Sequence, residues 1–299
     1  MWIKPGGGGR ALAADHLTVW RDIVTYKTLM VHLQLRQSNA GVLKIAAELA
    51  ERFHAGVTGI AVCQPMQIVQ GDVYISGDLI EQDREEIQQE IKDAEAAFRT
   101  AFESCTGPVE WRSAVTIAAL PGYLANEARG ADLIITGIER DASLFDGSRH
   151  VNVGDLAMQA GRPVLIVPAK TDRLNLERVV VGWKDTREAR RAIADAVPLL
   201  MRAGHVALVE IADESELPAA RSHLADVVAW LARHGVVAEP IASESNGNDA
   251  GLLATIARDQ KADLVVAGAY GHSRLREWAF GGVTRNFLLH ADQCLLVSH

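Results

Sequence analysis

The sequence predicts an α/β fold: two tandem doubly wound domains, each with a five-stranded parallel sheet. Three observations predict it. Short apolar runs rich in β-branched residues alternate with longer stretches of helical periodicity. The runs are apolar throughout, as strands buried on both faces must be. The chain also repeats itself, because Ala131-Asp132-Leu133-Ile134-Ile135-Thr136-Gly137 returns as Ala262-Asp263-Leu264-Val265-Val266-Ala267-Gly268.

Composition agrees with this class. A chain of 299 residues suits two domains of about 150 residues each. Apolar residues at 48% and charged residues at 23% exclude wholesale disorder. A formal charge of -8 argues against a nucleic-acid partner, whose phosphates call for an excess of Lys and Arg. No run approaches the roughly 20 apolar residues of a membrane span, so no membrane role is expected. Cys63, Cys105 and Cys294 lie far apart, which suggests neither a disulfide framework nor a CxxC site and fits a cytoplasmic protein. Ten histidines lack metal-ligand spacing. HExxH, GxSxG and P-loop motifs do not occur.

The elements follow in order. Residues 1–26, with Gly6 to Gly9, read as a flexible leader without the apolar core of a secretory signal: a cloning remnant, a misplaced start or a real extension. The first domain, 27–170, opens with the strand Leu29 to His32. A helix follows, striped by Val42, Ile45, Ala46, Leu49 and Phe53. Val57 to Val62 is the second strand. A polar insert of roughly twenty residues, Gln64 to Glu86, then leads into a long helix over about 78–104. Its Ile80, Ile87, Ile91, Ala94 and Phe98 are expected to face the core, with Glu81 to Glu90 on the solvated side. A third strand and a helix precede the glycine-ended fourth strand, and Pro163 to Val167 is the last. Thr171 to Leu176 is the linker.

The second domain, 177–299, repeats the pattern. Val179 to Gly182 is its first strand, and Asp185 with Glu188 reads as a capping box for a helix striped by Ala192, Ile193, Ala196, Leu199 and Leu200. His205 to Ile211, a helix over about 216–234, a third strand, a helix, the strand ending at Gly268, a further helix and Cys294 to Val297 complete it.

Ligands of doubly wound sheets sit at the carboxyl ends of the strands, where strand order reverses. Gly268 and Gly271, then Gly281-Gly282-Val283-Thr284 at the head of a helix running to about Leu289, fall there in the second domain. Glycine lets backbone N–H groups approach an anion, and a helix start adds unpaired N–H groups. The same glycines also suit an ordinary strand-to-helix turn. His272 and Ser273 could touch phosphate or form a polar lid. Trp183 and Trp278 could wall a pocket or pack in the core.

The spacing Gly-x2-Gly-x9-Gly after the fourth strand resembles the universal stress protein family, and the resemblance spans 27–170 and 177–299. It implies strand order 3-2-1-4-5 and a stress-response or regulatory role. It also implies pairing of the two domains through their last strands, Val164 to Val167 and Cys294 to Val297. Whether two chains form a homodimer is left open. The ligand implied is ATP or a related adenine nucleotide, with or without magnesium. Gly268 and Gly271 would flank the ribose and phosphates, and Gly281, Gly282 and Val283 would offer N–H groups. Ala267 and Ile211 would lie near the base or ribose, with His272 and Thr284 beside the phosphates.

Two positions depart from the family. Gly282 stands where the family has Ser or Thr, and Lys184 stands where an aspartate touches the nucleoside, serving either as a solvated cation or as a phosphate partner. The first domain departs further. It has Gly137-Ile-Glu-Arg140 for the glycine pair, Val151 and Asn152 for Gly281 and Gly282, and Gln34 for the aspartate. A degenerate site kept for pairing is expected there, with Arg140 an ordinary surface residue or a contact for another anion. No residue stands out to activate water, so hydrolysis would be slow at most. The alternatives are a nucleotide-free module for protein–protein contact and an enzyme using an adenylate.

Overall fold

The computed structural model describes residues 25–66, 77–138, 150–269 and 293–299. Its first half runs β1 (Thr28–His32), α1 (Ala40–Phe53), β2 (Gly56–Cys63), α2 (Gly77–Ala101), β3 (Val109–Val115), α3 (Leu120–Glu127), β4 (Leu133–Gly137), α4 (Val153–Ala160) and β5 (Val164–Val167). The second half runs β6 (Arg178–Trp183), α5 (Arg187–Leu200), β7 (His205–Ala212), α6 (Leu217–Arg233), β8 (Ala238–Glu244), α7 (Asp249–Asp259), β9 (Leu264–Gly268) and β10 (Cys294–Ser298). The helix expected between β9 and β10 lies outside the described residues.

The strands form one ten-stranded sheet in the order β3-β2-β1-β4-β5-β10-β9-β6-β7-β8. Each half therefore has its strands in the order third, second, first, fourth, fifth. Neighbours are parallel except β5 and β10, which pair antiparallel with Leu296 opposite Leu165. Strand order reverses between β1 and β4 and again between β6 and β9, which makes two switch points.

Amphipathic helices hold both faces of this sheet. Val42, Ile45, Ala46, Leu49 and Phe53 of α1 are all buried, as are Ala192, Ile193, Ala196, Leu199 and Leu200 of α5. In α2, Ile87, Ile91 and Phe98 are buried and Ala94 packs partly against the core. The first two turns of that helix correct the amphipathic reading. Ile80 is exposed and Asp83 is buried, because the Asp83 carboxylate turns inward and accepts the backbone N–H of Met66 at 2.9 Å.

The cap of α5 is also shifted by one residue. Thr186, extended at φ -125, is the N-cap, and its hydroxyl accepts from Ala189 N at 3.2 Å. Asp185 instead pairs with Arg190 at 2.6 Å.

The halves also meet beside the sheet. Tyr26, the last residue of the stretch read as a leader, is buried with its ring edge-on to Phe53, and its hydroxyl donates to Asp195 O at 2.6 Å. The Arg202 guanidinium lies 4.3 Å from the centre of the Phe53 ring. Leu174 and Leu176 of the connecting segment are buried as well.

Candidate functional site

At the second switch point, Gly182 of β6 lies opposite Ala267 of β9. Beyond them, the turn Lys184-Asp185-Thr186 lifts the chain from β6 into α5, closed by a hydrogen bond from Thr186 N to Lys184 O of 2.6 Å. Gly268 ends β9 directly under the first turn of α5. A Cβ built there would lie 2.6 Å from both Ala189 N and the Glu188 carbonyl carbon, closer than real Cβ atoms come. Glycine is thus what lets this strand end tuck beneath the helix. Ala269 N continues the approach by donating to Ser298 O at 2.7 Å, and the His299 ring lies 3.1 Å from Ala269 O.

Among the expected contacts, Lys184 is exposed two residues beyond Gly182, in the turn that follows β6, and Ala267 and Gly268 end β9. Ile211 is buried near the end of β7, in the same apolar layer as Ala267 and Leu253. Gly182, two residues before Lys184, is the ladder neighbour of Ala267, and Ile211 lies on β7, the strand next to β6. Gly271, His272, Gly281, Gly282, Val283 and Thr284 lie outside the described residues, as do Arg140, Ser273 and Trp278.

Glu210 enters the site unannounced by any motif. It lies opposite Trp183 in the ladder and is 5% exposed. Its Oε1 stands 3.3 Å from His223 Nδ1 of α6, and its Oε2 is buried without a hydrogen-bond partner. Burial pushes its carboxyl above the usual carboxylate range; His223 pulls it back, Asp185 pushes it further up and Lys184 pulls it down. Trp183 Nε1 and Ser298 Oγ are likewise buried without partners. The available signal for Glu210 was its place as the one charged residue in the apolar strand HVALVEIA.

The first switch point is built differently. His32 lies opposite Thr136, and its Nδ1 is 2.9 Å from Thr136 Oγ1. Burial pulls this imidazole down to about 4, so it is neutral at pH 7. Gln34 is buried beside them; its amide donates to Gly137 O at 3.5 Å, and its backbone N–H donates to Asn39 Oδ1 at 3.0 Å. Val151 is buried, and Asn152 caps α4 by accepting from Asp155 N at 3.1 Å. Where the second half has Gly182, Ala267 and Lys184, the first has two mutually bonded side chains and an inward-turned amide.

Among the described residues, no cluster of three or more His, Cys, Asp or Glu could hold a metal ion, and no helix is long and apolar enough to cross a membrane. Cys63, Cys105 and Cys294 form no disulfide among the described residues.

Residues 175–299 match the model of the universal stress protein family. A universal stress protein from Archaeoglobus fulgidus shares the fold at TM-score 0.70 and 11% identity, over 91% of this chain and 95% of its own. A functionally unknown protein from Pseudomonas aeruginosa covers 94% of both chains at TM-score 0.57 and 17% identity. A shorter structure, an Archaeoglobus fulgidus universal stress protein in complex with dAMP, covers 48% of this chain and 98% of its own at 19% identity and TM-score 0.32. No curated protein matches the chain.

Proposed function

We propose, from a universal stress protein domain at residues 175–299, that this chain binds one adenine nucleotide, ATP or a close relative, at its second switch point. Binding there would serve a stress-response or regulatory role in the cytoplasm. Lys184, Ile211, Ala267 and Gly268 would line the nucleoside side. Gly271, His272, Gly281, Gly282, Val283 and Thr284 would take the phosphates, with or without magnesium. The first half, 27–170, would act as a degenerate copy whose task is pairing along β5 and β10.

One observation carries this reading: the asymmetry of the switch points. Gly182, Ala267 and Gly268 keep backbone close to the carboxyl edge in the second half, where main-chain N–H groups are useful to an anion. His32, Thr136 and Gln34 occupy the corresponding edge of the first half with their own hydrogen bonds. The nucleotide supplies the phosphate charge. The chain's own residues would bind and orient it.

Denaturing freshly purified protein and identifying any released nucleotide by chromatography and mass tests the reading. Adenine nucleotide at about one per chain, absent from a Gly281→Val variant, is the expected result. No nucleotide in either, together with no heat on adding ATP, would favour a nucleotide-free module for protein–protein contact.

A further inference from the structure

Three of the five buried side-chain atoms without a hydrogen-bond partner among the described residues lie along one edge of the second half: Trp183 Nε1, Glu210 Oε2 and Ser298 Oγ. Trp183 and Glu210 are direct ladder neighbours. Side chains at such positions point to the same face, from strands about 4.8 Å apart. That face is the one covered by α5 and α6: Trp183 packs in the cluster that holds Ala189 and Ala192, and Glu210 meets His223. A donor and an acceptor thus stand side by side without bonding each other. A buried polar atom left unpaired has lost its bonds to water without a replacement.

A hydroxyl group answers both at once. It donates its proton to a carboxylate oxygen and accepts from an indole N–H through its lone pairs. Doubly wound sheets supply a precedent in kind, an acidic residue near the end of the second strand that takes a ribose hydroxyl. Glu210 lies in β7, the second strand of its half, two residues before the strand ends at Ala212. The turn above it carries Lys184, which has no acceptor for a hydroxyl. That turn starts at Lys184, the residue after Trp183, and Trp183 is the ladder neighbour of Glu210.

We propose that Glu210, with Trp183 Nε1 beside it, is the ribose-recognising pair of the second half, binding the sugar hydroxyls of the nucleotide. The pair rests on the nucleotide reading above and adds the residues that select ribose over a deoxy sugar. His223 holds the other carboxylate oxygen and so positions Glu210.

Titration calorimetry on the full chain, with ATP and with its 2′,3′-dideoxy analogue, tests this. Wild type should bind ATP about tenfold more tightly than the analogue, as expected for a hydrogen bond to a charged group. Glu210→Gln should lose most of that preference, weakening ATP about tenfold and the analogue less than twofold. Trp183→Phe, which keeps the ring and removes the donor, should lose a smaller part. Equal weakening of both ligands by Glu210→Gln, or wild-type affinity in that variant, would overturn the assignment. Should Glu210→Gln melt, a wild-type ratio near one would overturn it alone. A wild type that binds ATP and the analogue equally would sink the ribose pair but spare nucleotide binding, whereas no binding of either would sink both.

Discussion

The two switch points occupy the same register in two copies of one topology, yet they are filled in opposite ways. His32 opposite Thr136 in the first half corresponds to Gly182 opposite Ala267 in the second. In the first, an imidazole and a hydroxyl bond each other and Gln34 turns onto Gly137 O, so polar groups at the edge spend their hydrogen bonds internally. In the second, the edge is lined by small residues, while an indole N–H and a carboxylate oxygen stay unpaired. The backbone ladder is indifferent to which set is present, because its hydrogen bonds use main-chain groups alone. One scaffold therefore carries two differently filled edges.

The comparison can be broken most sharply at His32. Its imidazole sits at about 4 when folded and near 6.5 when unfolded. The unfolded chain then binds more protons between those values, so stability falls as pH drops through that window and is whole again above it. The loss reached at pH 4 should be about 3 kcal/mol. Urea midpoints at pH 7 and pH 4 should show this slope in wild type and lose it in His32→Gln; an unchanged slope would contradict the buried neutral imidazole. The second half has glycine at that position and should contribute no such slope there.

A smaller effect separates the two strand-ending glycines. Gly268→Ala drives a Cβ to 2.6 Å from the backbone of α5 and should cost about 2 kcal/mol. Gly137→Ala meets Val42 Cγ2 at 3.4 Å and Gln34 Oε1 at 3.6 Å, ordinary contacts, and should cost less than about 1 kcal/mol. Equal costs would mean that the two edges are packed alike.

Capping gives the next step down. Thr186→Ala removes the N-cap of α5 and should cost about 1 kcal/mol, as should Asn152→Ala at α4. Asp185→Ala breaks only a surface pair with Arg190 and should cost less than about 0.5 kcal/mol. A larger loss at Asp185 than at Thr186 would restore the capping box expected from the sequence.

Much of the architecture was legible because it rests on local periodicity. The stripes of α1 and α5 and the glycine-ended strands β4 and β9 need only spacing to be seen. Gly268 was expected to bring backbone close to an anion, and the structure shows a different close neighbour, the first turn of α5. Asp83 was not, since its burial follows from an N–H 17 residues earlier that the helical pattern does not include. Thr186 was missed by one residue because both Asp185 and Thr186 can cap, and backbone angles rather than residue type separate them.

What the sequence by itself determined is the repeat, the order of strands and helices in each half, and the glycine-marked edge, all carried by patterns within about thirty residues. Only the tertiary structure decided what each edge became. His32 meets Thr136 across 104 positions of chain, and Glu210 of β7 meets His223 of α6. Burial and pairing are properties of neighbours brought together by packing, and a linear pattern records which residues are apolar without recording whom the polar ones will meet.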